Sequence, residues 1–580
     1  MSDTLDQNSG RAVRDLADDH VLRLAELDPV LAGELGHTDG QDRLPDLSPA
    51  GQDAIDALDR DTLDRLAALT GDSAPTDPDE RRCARLLSER LRTGLDVSAS
   101  GEHLRQVQEL FGPVQGVRLA FTLMPVATEQ DWANVAGRMS RVPQAMREYR
   151  ETLAEGDRRG LHAAPRQVRR VADQIDEWVR DAGGRGWFAS FAENATTENA
   201  TGGDAPVSGA VRAELDAAAP QATGALAELR DWLRTDYLPR TEGTPDGVGA
   251  ERYRLASRFW NGADIDTDDV YAWGWSEFRR LREEMAAEAE RVKPGATAAE
   301  AMAYLDTHGD VVAGAEVARK RLQAMMDDTI ADLGSTHFDL AEPIRRVEAR
   351  LAPAGSAAAP YYTPPTLDFS RPGRTWLPMT PDDRYPMWDL ISTWYHEGVP
   401  GHHLQMAQWA YRSAELSSYQ ANVGSVSANL EGWALYAELL MDELGYHTDP
   451  GSRMGYLNGQ MLRAVRVVID IGMHLSLPIP DDSPVGAGLR WTPELGREFF
   501  GRHVGGGDAL ADSELLRYLG GPGQAIGYKL GERAWLTGRN AARRAHAGRG
   551  EEFDLKAWHM TALSQGSLGL DDLVGELAAI

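Results

Sequence analysis

The chain has 580 residues, 42% of them apolar, and a mean hydropathy of −0.42, which is a soluble composition with core material enough for several lobes around one body. Sixty basic against 90 acidic residues give a formal charge of −30 and a pI near 4.9. That balance excludes nucleic acid and anionic membrane surfaces as bulk partners; its ordinary use is solubility.

The opening Met1-Ser2-Asp3-Thr4-Leu5-Asp6-Gln7 has neither the basic nor the apolar stretch of a signal peptide. No later run is long and apolar enough to span a bilayer, so a cytoplasmic setting is the expectation. From 10 to 180 the pattern is helical: Val13, Leu16, Val21, Leu24 and Leu27 recur at near-helical spacing, and 53–70, 79–95, 128–155 and 166–182 behave likewise. The sole cysteine, Cys83, falls in one of these helices. It excludes an internal disulfide and a thiolate zinc site, and reads as a packed thiol. No fixed-period repeat is present. Small polar residues over 192–209 mark a surface loop or lobe boundary. The glycosylation patterns at Asn194 and Asn199 within it are idle without a secretory signal.

Helical periodicity resumes over 210–236 and 268–350. Tyr361-Tyr362-Thr363, Thr366-Leu367-Asp368-Phe369 and Thr375-Trp376-Leu377-Pro378 read as strands, with a turn at Arg371-Pro372-Gly373-Arg374. Helices are expected again over 384–412, 425–445, 452–476, 493–503 and 523–546. The fold class is mostly α with a small β-sheet. Three regions are expected: an N-terminal helical lobe over 1–200, a helical middle region over 210–355, and a metal-binding catalytic region over 356–580.

Of 14 histidines, three fall within His396-Glu397-Gly398-Val399-Pro400-Gly401-His402-His403. With thiolate absent, zinc takes imidazole nitrogen and carboxylate oxygen, and a catalytic zinc leaves one position for a water whose pKa it lowers to about 7. A carboxylate must then accept that water's proton, and Glu397 follows a histidine as it does in His-Glu-x-x-His. The spacing departs from that motif. Six residues turn His402 about 120° away from His396 on an ideal helix. Seven residues restore the face for His403 but separate the backbones by about 10.5 Å. Pro400 and Gly401 supply a distortion, read as a bulge that absorbs two residues and brings His402 to the metal, with His403 the alternative. A third ligand comes from a separate helix: Glu431 lies at the edge of the stripe Leu430, Trp433, Ala434, Ala437 and Leu440, and Glu438 on the same side can support a ligand from behind. Alone, each feature has an ordinary explanation as surface decoration or polar loop. Together, in this order, they point to a metal.

His-Glu-Gly-Val-Pro-Gly-His-His-Leu-Gln over 396–405 resembles the signature of the bacterial domain-of-unknown-function 885 family, which is grouped with zincin-type metallopeptidases. Ser370-Arg371-Pro372-Gly373, Glu431-Gly432-Trp433-Ala434-Leu435-Tyr436-Ala437-Glu438 and Tyr518-Leu519-Gly520-Gly521-Pro522-Gly523-Gln524-Ala525 fit the same family, so the resemblance is firm over about 360–535. It implies a zincin-like catalytic region within a large helical body with a deep cleft. Leu430-Glu431-Gly432-Trp433-Ala434 is also similar to the segment that supplies the zinc-binding glutamate of gluzincin aminopeptidases, and Pro400-Gly401-His402 to the end of an oligopeptidase motif, which favours His402 over His403. The two-residue insertion is the departure.

An acyl-transfer oxyanion needs a further donor. Tyr528 is the first choice; Tyr518 and His474 are alternatives. Arg463 and Arg466, three apart on one helix face, can hold a substrate carboxylate, unless Arg466 instead pairs with Asp470. Arg371 is a further substrate-binding candidate. Gly505-Gly506-Gly507 lacks the rest of a phosphate loop. The expected function is a Zn2+-dependent peptidase acting on short peptides, with Glu397 as general base and the 361–377 element offering an edge strand to substrate. A zinc amidase acting on a small amide metabolite, and a helical scaffold with a vestigial metal site, are the alternatives.

Overall fold

The computed structural model describes residues 10–37, 39–71, 75–180, 184–193, 195–198, 204–352 and 359–580. The periodic stretches of the N-terminal part become the helices Ala12–Leu27, Pro49–Thr70, Pro78–Ala99, Glu129–Arg158 and Pro165–Arg180. Their starts are written in the sequence. Asp77 accepts from the Asp79 N–H ahead of Pro78–Ala99, and Thr128 forms a reciprocal capping box with Asp131 at the head of Glu129–Arg158.

The cores divide differently from the three expected regions. Buried residues from Val107 to Tyr237 gather in one core, where Glu129–Arg158 packs along Gly209–Trp232. The polar stretch near 200 falls within the span of that core. The polar stretch there is a short antiparallel ribbon, Thr196–Glu198 with Asp204–Pro206, laid on the same lobe. Asn194, the Asn199-Ala200-Thr201 pattern and the opening residues 1–9 lie outside the described residues. Helices Ala12–Leu27 and Pro78–Ala99 share a core with the C-terminal half, Leu86 and Leu87 clustering with Trp433 and Trp535. A helix face shows that it is apolar, not which distant segment covers it. A third core lies between Thr267–Val292 and Pro450–Leu475. Among the described residues no helix is long and apolar enough to cross a membrane.

Ahead of the His-rich segment the helical run ends at Thr336, and Val347–Leu351 is a strand. Its buried Val347 and Ala349 alternate with Glu348 and Arg350, the two-residue period of a half-buried strand. It pairs in parallel with Gly373–Leu377, which pairs antiparallel with Tyr361–Thr363. Thr366 to Phe369, expected as a strand, form a turn. The Asp368 carboxylate accepts from Thr366 Oγ1 and from the N–H and Oγ of Ser370, local bonds that compete with a ladder. The helices Ser427–Glu443 and Gly527–Arg549 cross backbone to backbone: a Cβ on Gly432 would stand 2.3 Å from the Gly531 Cα.

Candidate metal centre

The helix expected over 384–412 is two helices, Met387–Glu397 and His402–Tyr411, behind a strand at Arg384–Pro386. The extra residues are absorbed by a break rather than by a bulge in one continuous helix. Gly398 N–H closes on the Trp394 carbonyl, Gly401 N–H on Tyr395 at 3.0 Å and His403 N–H on Gly398 at 3.1 Å. A Cβ on Gly401 would lie 1.9 Å from the His396 carbonyl oxygen, so the chain passes there only as glycine. The break starts the second helix at His402 and swings its ring beside His396, centroids 4.7 Å apart and nearly perpendicular.

Glu431 reaches both histidines from the helix Ser427–Glu443. Its Oε2 stands 3.2 Å from His396 Nε2 and 3.4 Å from His402 Nε2, and the three donor atoms lie within 4.8 Å of one another. Zinc ligands at about 2.1 Å in a tetrahedron stand roughly 3.4 Å apart, so both measured separations match the edges of such a site. The electrostatics agree. Burial disfavours the His396 imidazolium, but hydrogen bonds to Glu431 and Glu438 outweigh it and lift the group to about 9. Burial would raise Glu431, yet His396 and His402 hold its carboxylate well below the usual range. Two carboxylates that draw a proton onto the buried His396 make a place that a cation would suit.

Two further carboxylates complete the surroundings. Glu438 Oε1 lies 2.8 Å from His396 Nδ1, and its other oxygen accepts from Ser392 Oγ. This leaves His396 Nε2 free to face Glu431, the arrangement by which a carboxylate fixes the tautomer of a metal-binding histidine. Glu397 is buried beside the donors, and among the described residues its carboxylate makes no hydrogen bond. Burial raises its pKa, against the pull of His396 and His402.

Other expected residues divide sharply. His403 is fully buried; its Nε2 donates to the Ile344 carbonyl at 2.7 Å and its Nδ1 accepts from Tyr362 OH at 2.9 Å. It ties the helix to the sheet with both ring nitrogens engaged, and it is not among the clustered donors. His474 is likewise spent, donating to the Tyr518 carbonyl at 3.0 Å and accepting from Val248 N–H at 3.3 Å, while burial holds it neutral with a pKa near 4. Tyr518 OH donates to Glu514 and accepts from Arg466, a supporting bond rather than a free donor. Arg371 closes its own turn on the Pro364 carbonyl at 2.9 Å. Tyr528, by contrast, stacks on His396 at 6.3 Å between centroids, and its hydroxyl accepts from Arg517 at 3.0 Å. Arg466 pairs with Glu514 at 2.8 Å rather than with Asp470, which instead accepts from Tyr253 OH and Gly523 N–H. Arg463 lies 3.7 Å from Glu438. Sequence reasoning missed Arg517 and Glu514; their one signal is proximity to Tyr518 in the family-like segment. One cavity of about 350 Å³ lies elsewhere, between Asp56, Arg105 and Gly521-Pro522, and none of the donors lines it.

The model of the family described as "Bacterial protein of unknown function (DUF885)" matches residues 29–577. Two solved structures are similar in fold. One is described as "the putative lipoprotein from Colwellia psychrerythraea", with 20% identity, a TM-score of 0.82, and coverage of 98% of this chain and 99% of that one. The other is described as a "putative lipoprotein of unknown function" from Shewanella oneidensis, with 18% identity, a TM-score of 0.71, and coverage of 97% and 99%. At such identities the likeness shows the fold alone. No curated protein matches the chain.

Proposed function

We propose that this chain, which belongs to the bacterial DUF885 family of proteins of unknown function, is a zinc-dependent hydrolase of amide bonds in short peptides, built on a zincin-like set of residues. One observation carries the reading: two imidazole nitrogens and a carboxylate oxygen meet within 4.8 Å of one another, two of their separations being those of tetrahedral zinc ligands, beside a buried carboxylate with no hydrogen bond among the described residues. His396, His402 and Glu431 would hold the ion. Bound there, zinc supplies polarisation of the scissile carbonyl and a water acidic enough to react near neutral pH.

The remaining chemistry belongs to the chain. Glu397, adjacent in sequence to one donor and free of hydrogen bonds, takes a proton from the attacking water and returns it to the leaving amine. Tyr528 keeps its own O–H while accepting from Arg517, so it has a proton to donate to the oxyanion that develops. Glu438 holds the His396 ring. The edge strand that holds Tyr362 and Thr363, tied to the His402–Tyr411 helix through Tyr362 and His403, is the sheet edge nearest in sequence along which an extended peptide would lie.

The test is Glu397→Gln on protein loaded with zinc and assayed against a panel of short peptides and N-acyl amino-acid amides. The wild type should bind about one zinc per chain and hydrolyse members of the panel. The variant should keep its zinc and melting temperature while losing roughly 100- to 10,000-fold in rate. Absence of hydrolysis by the zinc-loaded wild type would overturn the reading, and near-full activity in the variant would remove Glu397 as the base.

A further inference from the structure

Three guanidiniums converge on the ring of Tyr528: Arg466 at 4.5 Å from its centroid, Arg517 at 5.7 Å and Arg463 at 5.8 Å. One carboxylate serves two of them, Glu514 taking Arg466 at 2.8 Å and Arg517 at 3.3 Å. Burial would raise Glu514, but these two cations and the Tyr518 hydroxyl hold it at about 2, so it is already engaged on every side. Arg463 is left with little. Its Nη1 donates to the Gly459 carbonyl at 3.2 Å, while its Nη2 is 3.7 Å from Glu438, beyond a hydrogen bond. Among the described residues each of the three keeps one buried N–H without an acceptor: Nε of Arg463, Nη1 of Arg466 and Nε of Arg517. Arg463 and Arg466 are more than nine-tenths buried.

Buried guanidinium N–H groups are costly to leave unmet, and the three guanidiniums face only two carboxylates, Glu514 and Glu438, the second already engaged by His396 and Ser392. The missing element is an anion. A planar fork favours a carboxylate. The location says which one. Tyr528 stacks on His396 with one face of the cluster behind it, and a single side chain, Glu438, separates Arg463 from the His396 ring. A peptide chain advances at most about 3.6 Å per residue, so a terminal carboxylate at Arg463 leaves the last amide bond close to the donors.

We propose that Arg463, backed by Arg466 and Arg517, binds the free α-carboxylate at the C-terminus of a peptide, so that the chain removes single C-terminal residues. The substrate step rests on the hydrolase reading; the carboxylate pocket rests on geometry alone. In that step one water is consumed. Its oxygen joins the carbonyl carbon, the C–N bond breaks, and its protons pass to the products as a free amino acid and a shortened peptide acid.

Two measurements test this and separate it from the hydrolase reading. The first is calorimetric binding of N-acetylphenylalanine and N-acetylphenylalaninamide to metal-free protein. The acid should bind at least about tenfold more tightly than the amide, as expected of a charge-assisted fork. Arg463→Gln should erase the preference and Arg463→Lys restore part of it, with melting temperatures taken for both; equal affinity for acid and amide in the wild type overturns the proposal. The second offers zinc-loaded protein one peptide as its free acid, as its C-terminal amide, and as an amide ending in glutamate. Loss of the last residue from the free acid alone supports the proposal. Equal cleavage of the plain amide, or of the glutamate amide, overturns the terminal-carboxylate assignment. If no peptide is cut while the acid still binds over the amide, the hydrolase reading fails and the carboxylate pocket stands.

Discussion

His402 and His403 are neighbours in sequence, and the structure gives them opposite duties, so a pair of alanine variants separates metal binding from folding. His403 is fully buried and bridges the Ile344 carbonyl at 2.7 Å and the Tyr362 hydroxyl at 2.9 Å. Removing it strands a buried carbonyl and a hydroxyl, at about 1–3 kcal/mol for each, and leaves a cavity that adds to the loss. His403→Ala should therefore destabilise the fold by on the order of 3–5 kcal/mol. Zinc content per folded chain should stay that of the wild type. Among the described residues His402 has one polar partner, Glu431 at 3.4 Å, and its Nδ1 has none. Losing its ring should change stability by about 1 kcal/mol or less while abolishing stoichiometric zinc. Urea titration followed by tryptophan fluorescence reads the first quantity, and metal analysis after dialysis reads the second. A His403→Ala protein of normal stability that no longer binds zinc would refute the reasoning, because it would exchange the two roles.

Glu438→Gln keeps the shape against His396 but removes the charge that fixes its ring, and should weaken zinc binding by about 10- to 100-fold; competition against a chelating dye measures this, and unchanged affinity would show that Glu438 does not orient the ligand. Cys83 is buried and hydrogen-bonds Ser417, and burial pushes its thiol up to about 12. It should resist a disulfide reagent at pH 8 in the native protein and react within the mixing time in denaturant. Prompt reaction in the native state would mean that the packing of Pro78–Ala99 against the C-terminal half is wrong.

The site was legible because its chemistry is local in sequence. His396, His402 and Glu431 stand within two short segments whose residue types suffice to suggest a metal, and the structure brings these three together. What could not be read was the device that brings them together. Pro400 and Gly401 announce a distortion, but a bulge and a break have the same composition; the outcome depends on where the second helix finds its packing. His403 shows a different limit. A histidine beside a ligand position looks like a ligand until the Ile344 carbonyl, 59 residues away, is seen to claim its proton. The same holds for Arg466, whose sequence-local partner Asp470 is taken by Tyr253, while Glu514 arrives from another helix. The partner of an apolar helix face is hidden for the corresponding reason. Periodicity marks the apolar face of Pro78–Ala99, yet the residues that cover it lie near the other end of the chain.

In a motif with four-residue histidine spacing, one helix holds both ligands rigid. Here the second histidine begins a new helix, so its position has to be fixed by something else. The consecutive residues Glu431, Gly432 and Trp433 do this. Glu431 supplies the carboxylate that both imidazoles face. Gly432 lets the helix cross directly on Gly531, which brings Tyr528, three residues earlier on the crossing helix, against His396. Trp433 is fully buried, and its indole N–H donates to the carbonyls of Pro400 at 2.9 Å and Gly401 at 3.1 Å. The connector that sets His402 is thus held by the same helix turn that carries Glu431. A shift of that turn would move the third donor, the loop behind the second and the tyrosine beside the first together. The two-residue insertion gives up the rigidity of a single helix, and this three-residue segment restores it from the opposite side of the site.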